Sequence, residues 1–215
     1  MSFDHAQVDR KQLRKKMRGL RRSLSPFEQK RHSQQLCKIL RDQLLFRRSK
    51  HIALYLANDG EINPEALIQL CWRLKKTVYL PVLHPIGRNS LWFVPYQPNT
   101  PMQINRYKIK EPQIINAPRR QPWSLDLVFM PLVAFDQQGG RLGMGGGYYD
   151  RTFAFKLKRT KNGKGKLGPK LIGLAHSFQK VDKLSIEDWD VPLTGVATEE
   201  CLWRFDTDKS VINCC

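Results

Sequence analysis

Ten consecutive residues, Arg141-Leu142-Gly143-Met144-Gly145-Gly146-Gly147-Tyr148-Tyr149-Asp150, hold an arginine, four glycines, two tyrosines and a carboxylate. Glycine lacks a Cβ, so a phosphate can approach its backbone closely, and free N–H groups at a helix start favour an anion. An arginine can grip phosphate oxygens with two parallel hydrogen bonds, and a carboxylate can hold magnesium beside them. Phosphate cradling is the chemistry these residue types suit, Arg141 and Asp150 included. A plain flexible turn is the competing reading. The spacing is neither G-x-x-x-x-G-K-[ST] nor G-x-G-x-x-G, because Tyr148 stands where the third glycine would fall.

The elements around this stretch place it after a strand and before a helix. Leu125 to Phe135 is an apolar run with the length and β-branched content of a buried strand, Asp136 to Gly140 closes it with a turn, and Tyr149 to Lys158 reads as a helix. Upstream, Val8 to Leu24 carries Leu13, Met17, Leu20 and Leu24 at helical spacing with basic residues on its other faces. Either that helix presents a solvated basic face or Arg10, Lys11 or Arg14 reaches a phosphate held elsewhere; charge alone does not choose. Ser25-Pro26-Phe27-Glu28 forms a capping box for a second helix running to Phe46.

His51 to Ala57 is strand-like, Asn63-Pro64-Glu65 opens a helix to Lys75, and Thr77 to Val82 is a further strand. A strand, a crossover helix and a strand predict a parallel pair, and ligands in such sheets bind beyond the carboxyl ends of strands, where Leu56 and Glu61 fall. Leu91 to Tyr96 is a short strand, and Gln97 to Gln121 reads as a long irregular connection containing Tyr107, whose ring could stack on a planar ligand or simply pack. Leu171 to Ala175 and Val196 to Cys201 complete the strands. The pattern predicts an α/β fold: a single three-layer domain over residues 1–215, its mostly parallel sheet flanked by helices. Residues 1–24 would form the basic N-terminal helix, and 156–170, rich in lysine and glycine, a mobile surface segment.

The formal net charge of +18 across 215 residues calls for anionic partners, whether nucleic acid, lipid or phosphorylated and carboxylated small molecules. No apolar run is long enough to span a membrane. The aromatic residues are not interleaved with the two basic runs, which argues against a nucleic-acid stacking surface. Five cysteines without C-x-x-C or histidine spacing argue against zinc and for reduced thiols in the cytoplasm.

With the glycine stretch, the Leu56-to-Glu61 segment, the basic helix and Trp189-Asp190-Val191-Pro192-Leu193 in view, nearly the whole chain resembles the 5-formyltetrahydrofolate cyclo-ligase family, also called 5,10-methenyltetrahydrofolate synthetases. The hallmark is Arg141 to Arg151 preceded by Val133-Ala134-Phe135-Asp136. The resemblance implies an ATP- and magnesium-dependent conversion of 5-formyltetrahydrofolate into 5,10-methenyltetrahydrofolate with release of ADP and phosphate. It implies phosphorylation of the formyl oxygen and attack by N10, with no covalent protein nucleophile and with Arg141 stabilising phosphate charge. ATP would be bound by Arg10, Lys11, Gln12, Leu13, Arg14, Arg141, Leu142, Gly143, Met144, Gly145, Gly146, Gly147, Tyr148 and Tyr149. The folate would meet Leu56, Glu61, Tyr107, Met144, Gly145, Gly146, Gly147 and Tyr148, and magnesium would sit on Asp150 and Asp190. A cytoplasmic monomer acting on folate and ATP, without membrane or nucleic-acid partners, is the implied setting. Two positions depart from the family pattern: Arg10 and Gly146 stand where many members carry lysine.

Overall fold

The computed structural model describes residues 10–86, 89–114, 117–157, 168–205 and 211–212. Its helices are α1 (Arg10–Ser23), α2 (Pro26–Arg41), α3 (Leu44–Arg48), α4 (Glu65–Arg73) and α5 (Tyr148–Phe153). Its strands are β1 (His51–Ala53), β2 (Thr77–Leu83), β3 (Leu91–Pro95), β4 (Met102–Ile104), β5 (Lys110–Pro112), β6 (Leu127–Pro131), β7 (Ala134–Phe135), β8 (Arg141–Leu142), β9 (Lys170–Leu174), β10 (Gly195–Ala197), β11 (Leu202–Phe205) and β12 (Val211–Ile212). One sheet runs in the order β12-β11-β10-β9-β6-β1-β2-β3. From β10 to β2 its strands are parallel, and β3, β11 and β12 add antiparallel edges.

Alternation along the parallel strands divides the core into two layers. Leu127 and Phe129 of β6, with Ile172 and Leu174 of β9, face a cluster built on Leu36 and Leu40 of α2, Phe46 of α3, and Leu67, Ile68 and Cys71 of α4. Val128 and Met130 of β6, with Leu171 of β9, face the opposite cluster, covered by Phe153 of α5 and by Val191 and Leu193. This is the three-layer α/β arrangement expected from the alternating elements. Helix α1 stands apart: Leu13 and Met17 pack on Val133, Ala134 and Leu142. It therefore roofs the β7-β8 hairpin and leaves its N-terminal turn beside the glycine loop. Among the described residues no helix is long and apolar enough to cross a membrane.

Several local expectations are corrected. The second helix stops at Arg41 and resumes at Leu44, because the Gln43 carbonyl is turned to accept the N–H groups of Phe46 and Arg47. The capping box that starts it is present, with Ser25 and Glu28 each satisfying the other's backbone N–H, an arrangement worth about 1 kcal/mol. The apolar run 125–135 is broken into β6 and β7. After β6 the chain leaves the sheet, and the second piece pairs with β8 as a hairpin instead. Buried Asp136 sets that hairpin's turn, accepting from the N–H groups of Gln138 at 2.9 Å, Gly140 at 2.8 Å and Leu184 at 2.9 Å. The connection 97–121 is not wholly irregular, since β4 and β5 form a hairpin within it. The last expected strand, Val196 to Cys201, is cut short: β10 ends at Ala197, and a turn at Thr198–Cys201 reverses the chain into β11, which lies beyond the expected span.

The interior of the lysine-rich segment, 158–167, lies outside the described residues. Its flanks are ordered, with the Lys156 ammonium donating to the Pro169 carbonyl at 2.9 Å and Lys170 opening β9. Cys37 and Cys71 are free thiols, but Cys201 is disulfide-bonded, so the expectation of reduced thiols throughout does not hold.

Candidate active site

A cleft of about 850 Å³ opens where the chain leaves the carboxyl ends of β1 and β6. It is lined by Arg10 and Arg14 of α1, by Leu56 and Glu61 after β1, by Tyr107 from the β4-β5 turn, by Arg141 and Gly143 to Asp150, and by Asp190. Residues scattered over most of the sequence thus meet in one cavity. Lys11, Gln12, Leu13 and Leu142 do not line it. Lys11 and Gln12 are exposed residues of α1, whereas Leu13 and Leu142 are buried in one cluster and hold α1 to the hairpin.

Arg141 is on a strand and not in the loop, which fixes its backbone. Its guanidinium is buried, ion-paired with Asp150 and 3.4 Å from the Met130 sulfur. Asp150 also accepts from the Val191 N–H at 3.2 Å. Asp190 pairs with Arg10 at 3.3 Å, and Glu187 joins that arginine at 3.5 Å. Both expected metal ligands are therefore carboxylates on the cavity wall, each held by an arginine. The Nε atoms of Arg10 and Arg141, and that of Arg21 outside the cleft, are buried and lack any hydrogen-bond partner among the described residues. Such orphaned donors cost free energy unless an acceptor fills the site. A polyanion in the cleft would supply one, and two carboxylates beside it are the oxygen donors magnesium prefers.

The glycine loop is fixed by arginines from two sides. Arg14 donates Nε–H to the Gly143 carbonyl at 2.9 Å, and Arg151 donates to the Gly146 carbonyl at 2.7 Å. Gly145 has φ +98°, a backbone state that a Cβ would strain, opposite the Arg14 guanidinium. At Gly146 a Cβ would lie 2.8 Å from the Tyr148 ring. Here the tyrosine takes the space that a longer residue at this position would need. Tyr148 in turn bonds the Tyr107 hydroxyl at 2.7 Å and receives a hydrogen bond from Arg106, so the β4-β5 turn reaches across to the loop.

The turn carrying Glu61 is clamped to α1. Asp59 accepts from Arg18 at 2.6 Å and from the fully buried Arg21 at 2.8 Å, and Arg22 pairs with its other oxygen. Gly60, at φ +72°, lies so close that a Cβ would sit 2.7 Å from the Arg21 carbonyl oxygen. Arg21 also stands 3.9 Å from Glu61. Burial pushes Glu61 up to about 7 from its ordinary 4.5, with Arg21 and the Asn58 N–H pulling the other way. Burial and the Glu61 charge likewise raise the Tyr149 phenol.

This gives a stability prediction. The folded carboxyl binds its proton more tightly than the unfolded one, so its stabilising contribution is complete below about pH 4.5 and is lost as pH rises through about 7. Over that window the loss amounts to roughly 3 kcal/mol. Glu61→Gln is expected to remove this slope and to be more stable than wild type at pH 8. Urea unfolding of both proteins at pH 5, 6.5 and 8 measures the difference, and parallel pH curves would refute it.

Residues that the sequence did not mark also reach the site. Trp189 lines the cleft with 65% of its surface exposed, between two aspartates in a segment noted only for Asp190. An exposed tryptophan flanked by acids was the available signal. Arg21 carried none, being one of several basic residues on α1.

The family model described as the 5-formyltetrahydrofolate cyclo-ligase family matches residues 6–199. A 5-formyltetrahydrofolate cyclo-ligase of Haemophilus influenzae is 43% identical over 188 residues, spanning 87% of this chain and 96% of that protein. The enzyme of the same name from Escherichia coli K12 is 39% identical, spanning 88% and 100%. Among solved structures, the 5,10-methenyltetrahydrofolate synthetase of Aquifex aeolicus superposes with a TM-score of 0.76 at 29% identity, covering 95% of this chain and 96% of that one. The Mycoplasma pneumoniae synthetase gives 0.67 at 27% identity, covering 90% and 100%. A sheet of this order, a cleft at its carboxyl ends and relatives matched along almost their full lengths agree that the chain belongs to the 5-formyltetrahydrofolate cyclo-ligase family.

Proposed function

We propose that this enzyme closes 5-formyltetrahydrofolate to 5,10-methenyltetrahydrofolate at the expense of ATP, with magnesium, releasing ADP and phosphate. The observation that carries the reading is the single cleft joining the arginines and glycine loop to Leu56, Glu61 and Tyr107. The N5-formyl group is amide-like, so its carbon is a weak electrophile and its oxygen a poor leaving group. Moving the γ-phosphoryl group to that oxygen turns it into phosphate, which departs after N10 attacks the carbon. Such a reaction needs orientation and charge stabilisation more than a protein nucleophile.

In this reading Arg10 and Arg141, both on the cleft wall, present guanidinium charge to the phosphate oxygens. Arg14 and Arg151, by fixing the Gly143 and Gly146 carbonyls, keep the loop's backbone N–H groups aimed at the same anion. Bound magnesium supplies charge neutralisation at the phosphates, and Asp150 and Asp190 would hold it. Leu56 and Glu61 face the folate from one wall, with Tyr107 and Met144 to Tyr148 opposite. A carboxyl near pH 7 can donate to or accept from a pterin edge at physiological pH. Leu13 and Leu142 serve ATP only by holding α1 against the hairpin. We take the protein to act as a cytoplasmic monomer.

Purified protein given ATP, magnesium and 5-formyltetrahydrofolate is expected to accumulate the methenyl product, read by the absorbance of its extended conjugation. Folded protein that forms no product, or forms it equally without ATP, overturns the proposal.

A further inference from the structure

Against the turn that carries Glu61, but outside the cleft, three metal-ligating side chains converge from distant parts of the chain. His32 comes from α2, His176 follows β9 directly, and Glu199 sits in the turn between β10 and β11. They are 7%, 0% and 9% exposed. One ligand atom from each lies within 4.8 Å of the others: His32 Nδ1 is 2.9 Å from His176 Nδ1 and 3.6 Å from Glu199 Oε1. None of them has a part in the proposed reaction.

We propose that His32, His176 and Glu199 form a site for a divalent transition metal of the zinc class, distinct from the magnesium carboxylates. Metal–ligand bonds of about 2.0–2.2 Å put donors about 3 to 3.5 Å apart around such an ion, so the 2.9 and 3.6 Å spacings already match to tenths of an ångström, and the remaining pair, within 4.8 Å, closes further as the ion binds. Two imidazoles and one carboxylate suit zinc, cobalt or nickel better than magnesium, which prefers oxygen alone.

The surrounding bonds have the form that orients metal ligands. His176 Nε2 is 3.2 Å from the Gly60 carbonyl, an oxygen that only accepts, so Nε2 carries the proton and Nδ1 presents its lone pair. His32 Nδ1 must then be the donor in the histidine pair. When a metal enters, that proton moves to His32 Nε2 and both Nδ1 lone pairs face the ion, with no change in the charge of either ring. Glu199 is fixed by the Ser177 N–H at 3.0 and 3.1 Å and the Ser177 hydroxyl at 2.7 Å. The ion would tie α2 to two strand ends and, through Gly60, to the turn that presents Glu61.

The test is a Co2+ titration of the chelator-treated full chain in excess Mg2+, in a Cys37→Ser background, followed by visible absorption. One equivalent is expected to bind, without a thiolate charge-transfer band. Affinity should fall by more than about 100-fold in His32→Gln and in Glu199→Gln, beyond the roughly 10- to 100-fold that losing an outer-shell partner costs. Zn2+ should raise the thermal midpoint of the parent protein and leave those of the two variants unmoved. The proposal is overturned by the absence of saturable binding to the parent chain, which needs no variant to fold. A thiolate band, or equal affinity in either folded variant, also overturns it. None of these readouts depends on turnover, so failure here leaves the proposed reaction standing, and the reverse.

Discussion

Asp150→Asn is expected to lower turnover at least about 100-fold and to destabilise the fold by about 3 kcal/mol, two effects with separate causes. The catalytic loss follows from removing the proposed oxygen ligand of magnesium and a fixed charge on the cleft wall. The stability loss follows from Arg141, whose buried guanidinium loses its ion-pair partner, and an unpaired buried cation is costly. The two separate in the double variant. Adding Arg141→Met to Asp150→Asn takes away the stranded charge and should recover most of the stability, while turnover stays low. Urea unfolding and magnesium titrations of the three proteins measure this. A double variant no more stable than Asp150→Asn would remove the Arg141 ion pair from the account, and unchanged magnesium dependence would remove Asp150 from the metal site.

Arg21→Met should be more damaging to the fold, by about 3–5 kcal/mol, because a fully buried cation is taken from between two carboxylates. Asp59 keeps Arg18 and Arg22, so the uncompensated group is Glu61. The penalty is therefore expected to be larger at pH 8 than at pH 6, since Arg21 is one of the influences holding Glu61 down to about 7. Glu61→Gln in the same chain should erase that pH difference. A penalty independent of pH would mean that the two residues are not coupled.

The parallel core was legible in the sequence because its strands are short apolar runs flanked by turn residues, and the capping box at Ser25 is a local signal that tertiary contacts had no reason to override. Where the reading went astray, long-range bonds decided the outcome. Leu125 to Phe135 is apolar apart from Asp126, yet β6 joins the sheet while β7 pairs with β8, and the bonds of Asp136 that fix this hairpin include one to the distant Leu184 N–H. Likewise β4 and β5 carry mixed polar residues, and nothing in their composition marks strands.

The site was legible where unusual residues cluster, at Arg141 to Asp150, and the family resemblance supplied Leu56, Glu61, Tyr107 and Asp190. The clamp of Asp59 on α1, the Arg106 and Tyr148 bridge and the cavity face of Trp189 depend on which surfaces meet in space. A one-dimensional pattern does not contain that. Leu13 and Leu142 show the reverse case, lying inside binding segments while their side chains belong to the core.

Arg10 and Asp190 face each other across the cleft although 180 residues separate them in the chain. On a ribosome this means that the first helix emerges long before its partner exists. Its basic face must wait through the synthesis of five of the sheet's eight described strands, with its arginines still in water. The pocket is consequently among the last features to close, and a chain cut short before Asp190 lacks the carboxylate that holds Arg10 at the cleft wall. Incomplete copies would then carry much of the sheet's architecture without a finished cleft.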